Sequence, residues 1–200
     1  MTSQLWWYLA RSSGIVAWSL VAASVVWGLF LSTKVLGSRP RPAWLLDLHR
    51  FLGGLALTFT GIHLVSFVLD SYVHFGLVQL LVPLTSSYRP GAVAWGIVGF
   101  YLLLAVELTS LARKRLSKRV WRSTHLLSFP LFALSTVHGL LAGTDGTSRP
   151  LFAAMAGASA LVAVLTVASI DAHRTKGRKR VPAVARPTTS RPMPAPARHG

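Results

Sequence analysis

Five long apolar runs constrain this chain more than any other feature of its sequence. Each run is nearly free of Lys, Arg, Asp and Glu, and together they cover residues 14–33, 51–69, 90–106, 123–144 and 151–170. An α-helix needs roughly 20 apolar residues to cross the hydrocarbon core of a bilayer. The sequence therefore predicts an all-α integral membrane protein, a bundle of about five transmembrane helices.

A further apolar segment, 75–84, does not fit a sixth span. It is too short to cross a bilayer, and Pro83 interrupts it. We predict one short interfacial or re-entrant helix there. The first run is longer than the apolar core of a secretory signal and has no clear small-residue cleavage site, so we keep it as a span.

The basic residues are distributed unevenly between the two sides of the predicted bundle. Eighteen of the 21 Lys and Arg residues fall around the first and third connections or in the C-terminal tail, and Arg11, Arg89 and Arg149 fall on the opposite side. Basic residues gather in cytoplasmic segments. We therefore predict an outer N-terminus and a cytoplasmic C-terminus in a multi-pass protein of the cell membrane, which we assign to the bacterial inner membrane.

The net charge of +16 follows from this distribution, so it indicates membrane lipids and no nucleic acid as partners. Residues 1–170 form the membrane domain, and residues 171–200 are predicted to be a disordered, basic, Pro-rich cytoplasmic tail. The tail either binds anionic headgroups or docks an acidic soluble donor. The absence of cysteine excludes disulfides, iron-sulfur clusters and covalent haem attachment.

Four of the seven histidines lie in the second and fourth predicted helices. His49 and His63 are 14 residues apart, and His125 and His138 are 13 apart, so each pair is separated by about 20 Å along its helix. One antiparallel helix lies between the two, so they run parallel. The sequence therefore predicts two sites, His49 with His125 near the cytoplasmic face and His63 with His138 near the outer face.

Two imidazoles alone leave a bare zinc or copper ion under-coordinated. A porphyrin brings four nitrogens and needs two axial ligands, and Met155 is the only methionine within a span. The histidines therefore predict two b-type haems and electron transfer. The alternative is a haem-free transporter or scaffold in which the buried histidines relay protons.

The spacing of 13 is imperfect, because on an ideal helix it leaves His125 and His138 about 140° apart around the axis. Pro130 lies between them and is expected to supply a kink or local over-winding. A straight fourth helix would contradict this hypothesis.

Three arginines are candidate partners for haem propionates. Arg50 and Arg122 lie beside the inner histidines, and Arg11 lies near the outer pair. Ordinary positive-inside charge is the alternative for the first two. Glu107, the one acid well inside a span, and His74 are left without an assigned role.

The segments LDLHRFLGG and STHLLSFPLFALSTVHG resemble the ferric reductase-like transmembrane domain. That domain is shared by ferric reductases, NADPH oxidases and the haem-binding membrane subunit of a bacterial methionine sulfoxide reductase system. The resemblance covers roughly residues 8–170 and places His49, His63, His125 and His138 at haem-ligand positions. It implies two b haems stacked across the membrane in the haem-binding subunit of an oxidoreductase.

Eukaryotic members of this family continue into a flavin and nicotinamide domain, but no G-x-G-x-x-G fingerprint occurs here. We therefore expect no flavin or NAD site in this chain. The resemblance then implies a separate electron donor, either a flavoprotein reductase or quinol, and a separate acceptor.

Overall fold

The protein is helical throughout the part of the chain that is described here. A computed structural model describes residues 2–33, 43–70, 75–144 and 148–178, and no strand occurs among them. The helices are α1 (Thr2–Thr33), α2 (Ala43–Leu69), α3 (Leu77–Leu81), α4 (Pro90–Leu111), α5 (Lys118–His125), α6 (Ser128–Ala142) and α7 (Arg149–Arg178). A 3-10 turn, Ala112–Arg115, follows α4.

Five helical segments are long and apolar enough to cross a membrane. They are Gln4–Ser32, Ala43–Leu69, Pro90–Arg115, Lys118–Ala142 and Arg149–Asp171. The prediction of an all-α bundle with five spans is therefore confirmed. Most of these helices extend beyond the apolar runs, because a helix satisfies its own backbone hydrogen bonds and can continue where its side chains become polar.

Helix α1 is the central element of the bundle. It packs along α2 and also contacts α6 and α7, while α4 packs against α6. In the core, Trp18 donates a hydrogen bond from Nε1 to Thr136 Oγ1 at 2.9 Å and stacks on Phe132 with ring centroids 6.5 Å apart. These contacts join α1 to α6. The other buried members of this core are Val21, Ala22, Val25, Leu29, Ala56, Leu103, Leu131, Met155 and Val162.

The fourth span is broken into two helices, α5 and α6. Helix α5 ends at His125, and a turn at residues 126–127 precedes α6. The backbone N–H groups of Leu127 and Phe129 each bond to the carbonyl three residues earlier, which is the tighter 3-10 pattern. Pro130 lies in the first turn of α6, where an N–H has no intrahelical acceptor in any case. The span is therefore not straight, and its break precedes the proline.

Two further predictions concern the short apolar segment and the C-terminal tail. The short apolar segment contains the five-residue helix α3, and Pro83 follows it. The tail was expected to be disordered from residue 171, but α7 continues to Arg178. Residues 171–176 contain neither Pro nor Gly, so nothing there ends the helix, and α7 continues past the predicted start of the tail. Residues 179–200, with His199, and His74 lie outside the described residues.

Candidate functional site: two histidine pairs

The first pair joins His63 of α2 to His138 of α6. Their ring centroids are 6.4 Å apart and their planes meet at 84°. His63 Nδ1 lies 2.6 Å from the carbonyl oxygen of Ala10, and His138 Nδ1 lies 2.8 Å from that of Ala92. A carbonyl oxygen only accepts, so both rings carry a proton on Nδ1. In each neutral ring Nε2 keeps its lone pair, which is the form that binds a metal.

Glycines make room for these two rings. Gly14 and Gly96 each follow an acceptor residue by four positions, on the same helix. A Cβ at Gly14 would lie 2.8 Å from His63 Cε1 and Nδ1, and one at Gly96 would lie 2.6 Å from His138 Nδ1. These separations are shorter than a carbon atom tolerates. Only glycine therefore leaves the imidazoles where the structure has them.

The second pair joins His49 of α2 to His125 of α5. Their ring centroids are 5.8 Å apart and their planes meet at 80°. His49 Nδ1 lies 3.3 Å from Ser24 Oγ, and a Cβ at Gly28 would lie 3.2 Å from His49 Cε1. A hydroxyl both donates and accepts, so this contact does not fix the tautomer of His49.

His125 is held by stacking rather than by a hydrogen bond. Its ring stacks on Trp121 at 5.1 Å and 20°, and the Arg113 guanidinium carbon lies 4.4 Å from the centroid of that indole. His125 Nδ1, Ser110 Oγ and Trp121 Nε1 are buried and have no hydrogen-bond partner within the described part of the chain. The second pair is therefore less constrained than the first.

A cavity of about 600 Å³ opens beside the second pair. It lies within the 300–1,000 Å³ range that is usual for a small-molecule or cofactor site. His49, His125, Glu107 and Arg122 contribute to its otherwise mainly apolar walls. A Cβ at Gly53 would overlap the Glu107 carboxylate, so that carboxylate packs directly against the α2 backbone.

The three predicted arginines have different surroundings. Arg122 lines the cavity of the second pair. Arg50 forms an exposed ion pair with Asp47 at 3.2 Å and is not among the cavity-lining residues. The Arg11 guanidinium lies 4.1 Å from the centroid of the Trp7 ring. Arg11 follows Ala10, whose carbonyl accepts a hydrogen bond from His63. Arg122 therefore lies near the second pair, Arg50 is directed to the surface, and the Arg11 guanidinium lies over Trp7.

The glycines that contact imidazoles do not lie beside the histidines in the sequence, whereas Gly54 and Gly61 lie on the histidine-bearing helix α2 itself. A Cβ at Gly54 or Gly61 would meet nothing within 4 Å. The relevant glycines lie on neighbouring helices. A small residue followed by glycine four positions later marks each of them in the sequence, at 10 and 14, 24 and 28, and 92 and 96.

The fold and these contacts define a multi-pass helical membrane protein with two histidine pairs at different depths. No group of three or more His, Asp or Glu side chains that could hold a metal ion occurs among the described residues. The sequence matches the family described as ferric reductase like transmembrane component over residues 13–136.

The chain belongs to this family, as the resemblance predicted, and is a transmembrane component of a redox system. The matched segment contains His49, His63 and His125 and ends two residues before His138. No curated protein and no solved structure matches the chain.

Proposed function

We propose that this chain carries electrons across a membrane through two b-type haems. His49 and His125 hold one haem, and His63 and His138 hold the other. The observation that carries the proposal is that four histidines from distant parts of the sequence meet as two pairs, with ring centroids 5.8 Å and 6.4 Å apart.

These separations fit two imidazoles on opposite sides of one metal ion. A metal–imidazole nitrogen distance is about 2 Å, and the ring centre lies about 1 Å further, so opposed rings have centroids roughly 6 Å apart. No third protein ligand joins either pair among the described residues. The donor set therefore suits a group that brings its other four ligands with it, as a porphyrin does.

A bound haem supplies a one-electron couple. The chain's own residues fix the orientation of two imidazoles, because His63 and His138 each donate a hydrogen bond from Nδ1 to a backbone carbonyl. A haem held by both histidines of a pair would supply electron transfer rather than oxygen binding. The walls around His49 and His125 are mainly apolar, as is usual for a cofactor site.

The two proposed sites lie at different depths along the same helix. His49 and His63 are separated by about 20 Å along the α2 axis. Trp18 lies between Gly14 and Gly28 on α1, and Phe132 lies between His125 and His138 on the fourth span, so their stacked rings occupy the intervening layer. An electron would pass through this packed layer rather than through water.

The distribution of basic residues supports a direction for the transfer. With the N-terminus outside, the His49–His125 pair is cytoplasmic and receives electrons from a separate flavoprotein reductase or from quinol. The His63–His138 pair then delivers them to an outer acceptor, such as ferric iron, an extracytoplasmic flavoprotein or a reductase partner. In this proposal the chain is the haem-binding membrane subunit of an oxidoreductase in the bacterial inner membrane.

The test is an optical spectrum of the detergent-purified chain, oxidised and reduced with dithionite, together with chemical haem quantitation. We expect a six-coordinate b-type spectrum and about two haems per chain, since each histidine pair fills both axial positions of one haem. A colourless chain that also fails to take up added haem would contradict the proposal. The buried histidines would then be assigned to a proton relay in a transporter or scaffold.

A further inference from the structure

We propose that Gly14, Gly28 and Gly96 are positioning residues for three of the four histidines. Each leaves space for an imidazole to reach a hydrogen-bond acceptor one helical turn earlier. We call the acceptor residue and its glycine an acceptor–glycine pair. The inference rests on the proposed function, since the positioned rings are the proposed haem ligands.

The acceptor–glycine pair occurs three times with the same spacing. Ala10 and Gly14 contact His63, Ser24 and Gly28 contact His49, and Ala92 and Gly96 contact His138. Residues four apart in a helix lie one above the other on the same face. At Ala10 and Ala92 the carbonyl has a second lone pair beyond the one used in the helix, and it accepts the imidazole proton there. At Ser24 the contact is with the side-chain hydroxyl.

The register between α1 and α2 accounts for two of the three occurrences. Ala10 and Ser24 are separated along α1 by the same number of positions that separates His49 from His63 along α2. Because the two helices run antiparallel, moving 14 residues forward along α1, from Ala10 to Ser24, corresponds to moving 14 residues back along α2, from His63 to His49. A step of this length also returns to nearly the same helix face, about 40° away. One packing register therefore positions both histidines of α2.

The fourth histidine lacks this arrangement. On α4, Val106 and Ser110 lie 14 residues after Ala92 and Gly96, and neither is glycine. His125 Nδ1 correspondingly has no hydrogen-bond partner among the described residues. Where the acceptor–glycine pair is missing, the hydrogen bond is missing as well, which ties the two features together.

Positioning of this kind acts on the ligand itself. A ring that donates from Nδ1 to a fixed acceptor is held in one tautomer and one orientation, and its other nitrogen becomes a better electron donor to a metal. A methyl group at Gly14 or Gly96 would displace the ring and break the bond to Ala10 or Ala92. Helix packing alone does not predict a change in histidine tautomer, so the tautomer separates the two roles.

The experiment compares Gly14→Ala and Gly96→Ala with two matched controls in the full-length chain. The controls are Gly91→Ala on α4 and Gly54→Ala on α2, where an added Cβ meets nothing within 4 Å. Haem content and affinity are measured by titration, and ¹⁵N NMR of labelled histidine in the haem-free chain reports the tautomers.

We expect both controls to bind two haems like the wild type and to keep its tautomers. Gly14→Ala and Gly96→Ala should keep the His49–His125 haem, bind the other about 10- to 100-fold more weakly, and show mixed tautomers at His63 or His138. Gly28→Ala, with a milder contact of 3.2 Å, should weaken only the His49–His125 haem and by a smaller factor.

Normal haem affinity with wild-type tautomers in all three variants would overturn the inference. If Gly14→Ala and Gly96→Ala do not fold, the affinity of Gly28→Ala for the His49–His125 haem, compared with its affinity for the other haem, decides it. A wild-type chain without haem would contradict the proposed function instead, and the tautomer comparison in the haem-free chain would still test the positioning role.

Discussion

The two histidine pairs use the same residue type on the same two spans, but the protein holds them differently. His63 and His138 both donate to backbone carbonyls, at 2.6 Å and 2.8 Å. His49 has a serine hydroxyl at 3.3 Å, and His125 Nδ1 has no partner in the described part of the chain. The first pair is fixed by main-chain atoms that every sequence supplies, whereas the second depends on particular side chains. A substitution can therefore remove the hydrogen-bond partner of His49, but not the carbonyl acceptors of the first pair.

The second pair also has the more polar surroundings. Glu107 and Arg122 both line the cavity beside it. A charged group inside a membrane protein is costly and tends to face the interior, where it performs a task. The His63–His138 site is therefore tightly fixed, and the His49–His125 site at the opposite end of the bundle is more adjustable.

The largest expected effect comes from removing a ligand. His63→Ala should reduce the haem content from about two per chain to about one, and His49→Ala should remove the other haem, because a single axial imidazole holds a haem poorly. Chemical quantitation and the reduced-minus-oxidised spectrum of each variant would measure this. The loss of both haems, or of neither, in the single variants would refute two independent sites.

The rate of haem loss should differ between the sites. Because the His49–His125 pair lacks carbonyl partners, its haem should transfer to excess apomyoglobin about 10-fold faster than the other. Stopped-flow absorbance would resolve two phases, and the variants His63→Ala and His49→Ala would assign them. A single phase in the wild type would remove the proposed difference between the pairs.

Ser24→Ala should shift one midpoint potential and leave the other in place. With Nε2 of His49 holding a haem, Nδ1 would carry the proton and donate to the Ser24 hydroxyl. This would make the imidazole a better electron donor and favour ferric iron, so the loss of the hydroxyl should raise the potential. A hydrogen bond worth about 1 kcal/mol corresponds to on the order of 40 mV for a one-electron couple. The measurement is a spectroelectrochemical titration.

The control for this shift is Ser19→Ala. The Ser19 hydroxyl donates to the Ile15 carbonyl within α1 at 2.9 Å, so its loss should leave both potentials unchanged. An equal shift from both serine variants would show a general effect of altering α1.

The smallest expected effect separates two arginines. Arg122→Gln should weaken the His49–His125 haem by up to about fivefold, since a partly exposed ion pair contributes at most about 1 kcal/mol. Arg50→Gln should change nothing, because Arg50 pairs with Asp47 at the surface. Haem titration at low and high salt would compare them, and a larger loss from Arg50→Gln would reverse the assignment.

Much of this architecture follows from the sequence because hydropathy and helical rise are local properties. The five spans and the matching depths of His49 with His125 and of His63 with His138 need only those two properties. The position of the break in the fourth span was not predictable in the same way. Pro130 fits into the first turn of a helix, so the proline fixes where a helix begins but not how the preceding turn winds.

The acceptor–glycine pairs could not be assigned from the sequence for a different reason. Gly14 and Gly28 matter only because α1 packs on α2 in one register, and that register depends on side-chain packing along the whole interface. Gly54 lies on the histidine-bearing helix itself, yet the structure places nothing within 4 Å of it. Proximity in sequence to a histidine was therefore a poor guide to contact with its ring.

Helix α1 contacts one histidine of each pair, and both of those histidines lie on α2. These two helices leave the ribosome before α4, α5, α6 and α7, since synthesis proceeds from the N-terminus. A hairpin of α1 and α2 already contains His49 and His63 together with their acceptors, Ser24 and Ala10. Half of each site can therefore form early in membrane insertion, and both sites are completed by one later event, the docking of α5 and α6.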